Sequence, residues 1–183
     1  KQRLGLPAGE PVALFFGIVR PYKGLRFAIE ALAELRARGK MMRLLVAGEF
    51  WEDVMAYTLM IEQLGLSAQV KIDNRYIPNE EIGLYFSAAD VFVAPYVGGT
   101  QSGAVKMALG FGLPVVISQS LNSAELADET AHRLYWVDPK DVVALAGEIE
   151  RSLRENVSAS ETLTLSSGGD EWGKLVDKIE TMI

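Results

Sequence analysis

The sequence predicts a doubly wound parallel α/β sheet of about six strands, Rossmann-like, with a terminal crossover-type helix. Three observations carry that prediction. Short runs such as Val12-Ala13-Leu14-Phe15-Phe16-Gly17-Ile18 and Arg43-Leu44-Leu45-Val46-Ala47-Gly48 are apolar on both faces, as strands sandwiched between helical layers must be. Segments with helical apolar spacing alternate with these runs. Turn and cap residues, including Gly39, Gly65 and Pro78-Asn79, separate the two kinds of segment.

Residues 1–10 are polar, with Pro7 and Gly9, and read as a linker remnant or lead-in turn. The first strand covers 12–18. Leu25, Ala28, Ile29, Leu32 and Leu35 then form a helical stripe opposite Arg26, Glu30, Glu34 and Arg38, and Gly39 ends the helix. A second strand at 43–48 precedes a helix over about 52–64, closed by Gly65. A short third strand spans 69–73. Asn79 is the expected N-cap of the next helix, with Glu80 and Glu81 in its first turn and Ile82, Tyr85, Phe86 and Ala89 on its apolar face. The fourth strand, 90–95, leads through a glycine-containing loop to a helix over about 102–111. A fifth strand at 113–118, a short helix near 123–127 and a sixth strand at 133–137 follow. Asp138-Pro139 opens a helix running to about residue 154, residues 155–169 turn to Ser, Thr and Gly, and 170–183 form a terminal helix with Trp172, Leu175, Val176 and Ile179 on one face.

The composition bounds the function. The chain has 183 residues, 49% hydrophobic and 23% charged, the balance of a soluble globular domain with a sizeable core. A formal net charge of -6, without basic clusters, argues against nucleic acid as a partner, because nonspecific affinity for it requires many phosphate-neutralising cations. The absence of cysteine removes disulfides and thiolate metal sites, and a single histidine argues against zinc. No run reaches the roughly 20 apolar residues of a membrane span, so no transmembrane segment is expected. Lys1 in place of a methionine points to a processed protein or a piece of a longer chain.

Ligands of doubly wound sheets sit beyond the carboxyl ends of the strands, at the reversal of winding. The candidates therefore lie in the loops after strands one to four. Gly17-Ile18-Val19-Arg20-Pro21-Tyr22-Lys23-Gly24 places a guanidinium fork and an ammonium, Arg20 and Lys23, where both can reach a diphosphate; the alternative is a pair of solvated surface charges. In Gly98-Gly99-Thr100-Gln101-Ser102-Gly103, backbone N–H groups and the Thr100 and Ser102 hydroxyls, aided by the dipole of the following helix, can cradle phosphate; ordinary helix capping would use the same residues. Tyr76 and Ile77 can offer backbone groups to a base edge or simply form the turn that delivers Pro78. Gly48 ends strand two, and nearby Trp51 either stacks on a ligand or covers the core edge, the second being favoured. His132 has no nucleophile or paired carboxylate near it in sequence and receives no catalytic role. These loops contain groups suited to binding, with no Ser-His-Asp set, carboxylate pair or metal cluster.

Over nearly its whole length the chain resembles the C-terminal, donor-binding domain of GT-B fold glycosyltransferases of family 4 (group 1). The resemblance rests on the Phe-Phe-Gly strand with Arg20-x-x-Lys23-Gly24, on Val46-Ala47-Gly48-Glu49, on Ile77-Pro78-Asn79-Glu80-Glu81, on Ala89-Asp90-Val91-Phe92-Val93-Ala94-Pro95 and on Gly112-Leu113-Pro114-Val115-Val116. It implies a retaining transferase that takes its sugar from a nucleotide-diphosphate donor, UDP- or GDP-linked, without a further cofactor. Arg20 and Lys23 would then be the catalytic cations on the donor diphosphate. Gly17, Gly48, Gly99, Thr100, Gln101, Ser102 and Gly103 would add donor contacts, and Tyr76 and Ile77 would read the base.

The sequence also departs from the family pattern. A common variant places an arginine at the position of Ile18, and many members carry two glutamates where this chain has Gly99 and Met107. Here Thr-Gln-Ser-Gly fills the loop, and Gln101 or the amides of Ser102 and Gly103 are the substitutes. The resemblance further implies a separate N-terminal acceptor domain, a glycan or glycolipid acceptor, a cytoplasmic location with membrane association through that missing domain, and no transfer by this polypeptide alone. Two other readings stand beside it: a noncatalytic nucleotide-binding module on the same scaffold, and another GT-B enzyme such as an epimerase or phosphorylase.

Overall fold

A computed structural model of the chain describes residues 1–99, 102–121 and 133–166, with side chains through residue 156. Six strands, β1 (Val12–Phe16), β2 (Arg43–Ala47), β3 (Val70–Asp73), β4 (Val91–Ala94), β5 (Val115–Ser118) and β6 (Leu134–Val137), form one sheet. Every pairing is parallel and the order is β3-β2-β1-β4-β5-β6. Successive β1, β2 and β3 extend the sheet one way, and β4, β5 and β6 extend it the other. The winding reverses between β1 and β4, where Leu14 pairs with Phe92.

Alternate residues of the same strand feed two separate cores because successive side chains leave opposite faces. Leu14, Phe16, Phe92 and Ala94 pack against Tyr85 and Phe86 of α3 (Asn79–Ala88) and Val105 and Ala108 of α4 (Gly103–Gly110). Ala13, Phe15, Val91 and Val93 face Ile29, Leu32 and Leu35 of α1 (Leu25–Ala37), Ile61 of α2 (Val54–Gln63) and Leu145, Ala146 and Ile149 of α5 (Val142–Ser166). The first face has an aromatic centre in which Phe86 stacks on Phe92 and Phe111 at 5.8 and 5.2 Å and meets Phe16 at 5.0 Å.

Several boundaries differ from the sequence expectation for local reasons. The opening residues join the domain: Leu4 and Leu6 are buried, and the Lys1 ammonium meets Asp90 at 2.6 Å. The same carboxylate accepts the Val12 N–H at 2.8 Å. Pro78 holds the cap position of α3, making Asn79 its first helical residue. Helix α5 starts after Asp138-Pro139 because Lys140 adopts φ 69° and Asp141 supplies the cap, accepting the Ala144 N–H at 2.8 Å. It also runs past residue 154, since no Gly or Pro lies between Glu148 and Ser166 and Ser and Thr cost a helix only tenths of a kcal/mol, about 0.5 each. The expected helix near 123–127, His132 and the terminal helix at 170–183 lie outside the described residues. The first compact unit is Lys1–Leu153 and contains the whole sheet.

Candidate functional site

The β1–α1 connection is shaped by two glycines. Chain direction changes at Gly17, φ 103°, and after a 3₁₀ turn over Pro21–Lys23 the chain enters α1 through Gly24, φ 69°. This turn folds the Lys23 side chain back over Gly17: a Cβ on Gly17 would lie 3.0 Å from the Lys23 Nζ. The ammonium also stands 5.6 Å from the centre of the Tyr96 ring. Burial, and then the nearby Arg20 guanidinium, hold the Lys23 pKa below the ordinary lysine value.

The β4–α4 connection supplies the opposite wall. Its start is tied to the first loop by the Val97 N–H donating to the Tyr22 carbonyl at 2.7 Å and by an edge-on Tyr22–Tyr96 ring contact at 6.1 Å. Tyr96 is buried, which pushes its phenol up to about 12, and its oxygen lies 3.2 Å from Ser102 Oγ. Ser102 caps α4, its Oγ accepting the Val105 N–H at 3.3 Å. Because Ser102 and Gly103 line the same cleft as Lys23, the positive end of the α4 dipole adjoins the ammonium there.

Between these walls is a cleft of ≈ 470 Å³ at the carboxyl edge of β1 and β4. Gly17, Arg20, Lys23, Ser102 and Gly103 all line it, together with Tyr22, Tyr96 and Met107. Two cations and no carboxylate face the cleft among the described residues, although the chain as a whole carries a net charge of -6. Such a site favours a compact anion with several oxygens, because point charge, guanidinium fork and helix dipole all act in one direction.

The remaining sequence candidates fall elsewhere. Gly48, φ 139°, packs on the Gly17 backbone, where a Cβ would lie 2.2 Å from the carbonyl oxygen, so its glycine is required by loop packing. Tyr76 is 70% exposed and Ile77 is buried in the core, and neither lines the cleft. Gly99, φ 105°, rests against the Tyr22 ring outside the lining. Thr100 and Gln101 lie outside the described residues. Trp51 does not cover the core edge as the sequence favoured: it is 57% exposed and carries the Arg20 guanidinium over its ring at 4.2 Å. An indole face is a good cation acceptor, and here the guanidinium occupies it.

Sequence reasoning missed Tyr22 and Tyr96 as cleft walls. Their signal was available, since each follows a proline at the end of a strand or loop segment, Pro21 and Pro95, on the functional edge. Among the described residues, no group of three or more His, Cys, Asp or Glu side chains is placed to hold a metal ion. None of their helices is long and apolar enough to cross a membrane.

Comparison with known proteins converges on one family. The model described as Glycosyl transferases group 1 matches residues 10–155. The 2-deoxystreptamine glucosyltransferase of Streptomyces kanamyceticus is 34% identical over 118 residues, covering 63% of this chain and 30% of that protein. The O-antigen chain mannosyltransferase B of Escherichia coli is 26% identical across 81% of this chain and 38% of its own length. For the GDP-mannose:glycolipid 4-beta-D-mannosyltransferase of Xanthomonas campestris pv. campestris, identity is 26% and the coverages are 76% and 37%. The chain spans about a third of the length of these curated relatives.

Solved structures give the same fold. The C-terminal domain of a glycosyl transferase group 1 family protein from Francisella tularensis superposes with a TM-score of 0.69 at 20% identity, covering 82% of this chain and 78% of that one. An Anabaena protein crystallised in complex with UDP reaches 0.64 at 19% identity, covering 89% and 50%. With its sheet order, its winding reversal and its match over residues 10–155, the chain belongs to the glycosyl transferases group 1 family and has the fold of the C-terminal domain of these GT-B proteins.

Proposed function

We propose that this chain is the nucleotide-sugar donor-binding half of a retaining glycosyltransferase that transfers a sugar to a glycan or glycolipid acceptor. The observation that carries the reading is the convergence of Arg20, Lys23 and the amino end of α4 on one cleft at the winding reversal. A donor diphosphate placed there meets the Lys23 ammonium, the in-plane N–H groups of Arg20 and the backbone N–H groups of the first α4 turn. These groups stabilise charge most when the sugar–phosphate bond breaks, because the leaving diphosphate then gains a full negative charge.

In the complete enzyme an acceptor hydroxyl approaches the sugar from the face that the diphosphate leaves. Its oxygen bonds to the anomeric carbon, the bond from that carbon to the phosphate oxygen breaks, and the hydroxyl proton passes to the departing phosphate. The acceptor site belongs to a second domain, in keeping with the third of its relatives' length that this chain spans. UDP and GDP are both candidate donor nucleotides: one fold relative is described with UDP and one sequence relative as a GDP-mannose enzyme.

A second reading has its own support. Gly99 and Met107 stand where many family members carry the glutamates that touch sugar and ribose, and Met107 lines the cleft. A chain without those carboxylates could bind nucleotide and transfer nothing. Calorimetric titration with UDP, GDP and ADP tests the nucleotide site that both readings share, and a sugar-transfer assay of the full-length protein separates them. Binding of one nucleotide, abolished in Lys23→Ala, supports the donor site; binding of none removes the donor reading.

A further inference from the structure

We infer that Trp51 is a positioning residue for Arg20, holding its guanidinium at the mouth of the cleft with the N–H edges free for a diphosphate. The inference rests on the cleft being a diphosphate site. The guanidinium lies 4.2 Å from the centre of the Trp51 ring, and Trp51, although 57% exposed, does not line the cleft. Its contact with the cleft runs through the Arg20 guanidinium, which lines it.

The backbone fixes this pair. Beyond the ends of β1 and β2, parallel pairing continues through the Val19–Phe50 bridge. The Val19 N–H donates to the Glu49 carbonyl at 2.8 Å, and the Trp51 N–H donates to the Val19 carbonyl at 3.0 Å. Asn74 holds the same loop from β3 by accepting the Phe50 N–H at 2.9 Å. Arg20 itself is extended, φ -137° and ψ 156°. The residue that carries the guanidinium and the residue that carries the indole are thus set in register by three strands' worth of hydrogen bonds.

The choice of partner is informative. The loop that supplies Trp51 also contains Glu49, Glu52 and Asp53, yet Arg20 forms no ion pair with any of them. Glu52 accepts the Tyr57 hydroxyl and Asp53 caps α2 through the Met55 N–H. A carboxylate would occupy the guanidinium edge, which is where phosphate binds; an aromatic face occupies only the flat side and leaves all five N–H donors available. Restricting the long arginine side chain before the ligand arrives also reduces the ordering cost of binding.

The test is calorimetric titration with UDP and with GDP of this chain and of Trp51→Ala, Trp51→Phe, Arg20→Ala and the Trp51→Ala/Arg20→Ala double variant. Trp51→Ala is expected to weaken the bound nucleotide roughly two- to fivefold, the range open to an exposed cation–π pair, and Trp51→Phe to restore most of that loss. In the Arg20→Ala background, removing Trp51 should change affinity by less than about twofold, because the indole then has nothing to position. A merely structural Trp51 would lower affinity equally in both backgrounds, and that result overturns the inference while leaving the cleft reading intact. If Arg20→Ala and Lys23→Ala both bind as the wild type does, or no nucleotide binds at all, the cleft reading fails and this inference with it.

Discussion

Gly24 and Pro95 join the two walls of the cleft: a Cβ on Gly24 would lie 2.1 Å from the Pro95 carbonyl oxygen. Backbone touches backbone here, so there is no flexible side chain to move aside. Gly24 also sits at φ 69°, which an L side chain adopts only with strain. Gly24→Ala is therefore expected to lower stability by at least ~2 kcal/mol, read from the denaturant midpoint at unchanged slope. Because it forces the loops after β1 and β4 apart, it should also weaken nucleotide binding under conditions where the variant is fully folded.

Lys23 gives a pH signature. Burial, followed by the Arg20 charge, lowers its pKa from the ordinary 10.5, so between the lowered value and 10.5 the unfolded chain binds more protons than the folded one. Stability attributable to this residue rises with pH through that window, the reverse of a lysine held in a salt bridge. Lys23→Met should be at least as stable as wild type at neutral pH, and its advantage should shrink as the pH approaches 10.5. Thermal melts of both proteins across that range check the sign.

The same group gives a pH dependence to binding. With the donor diphosphate bound as proposed, nucleotide affinity should decline at a pH below that of an ordinary lysine, as the Lys23 ammonium loses its proton. Lys23→Arg keeps a cation through the whole range and should flatten the alkaline limb of an affinity profile measured by calorimetry.

Ser102 links a helix cap to the cleft wall. Its hydroxyl accepts the Val105 N–H at 3.3 Å and touches the Tyr96 phenol oxygen at 3.2 Å. Ser102→Ala should cost about 1 kcal/mol of stability, and Ser102→Gly only a fraction of that. Urea unfolding of the two variants side by side distinguishes lost capping from lost packing.

Phe86 bears on the scaffold alone. It is fully buried and contacts the rings of Phe16, Phe92 and Phe111. Phe86→Ala should lose about 3–5 kcal/mol, whereas Phe86→Leu should lose much less because most of the volume is kept. Chemical denaturation measures both.

The strands could be read in sequence because parallel strands buried on both faces leave uninterrupted apolar runs, as at 12–16 and 43–47. Arg20, Lys23, Ser102 and Gly103 could be assigned to one edge because a doubly wound order brings the loops after β1 and β4 together. What the sequence did not expose were contacts between distant residues with no periodic signature. Lys1 reaching Asp90, Gly48 packing on Gly17 and Arg20 lying over Trp51 are pairings of this kind. Gly48 in particular reads as a ligand glycine from its place after a strand, and the structure adds a packing reason for it, since a Cβ there would meet the Gly17 carbonyl. Tyr76, expected at a base edge, stands exposed outside the cleft lining.

The central claim is that a nucleoside diphosphate binds between the loops after β1 and β4, and a crystal structure of the chain grown with UDP or GDP tests it most directly. The diphosphate oxygens should lie about 3 Å from the Lys23 Nζ and from a backbone N–H of the first α4 turn, with the Arg20 guanidinium turned edge-on toward them. Nucleotide density elsewhere on the molecule, with Arg20 and Lys23 contacting none of it, would contradict the account.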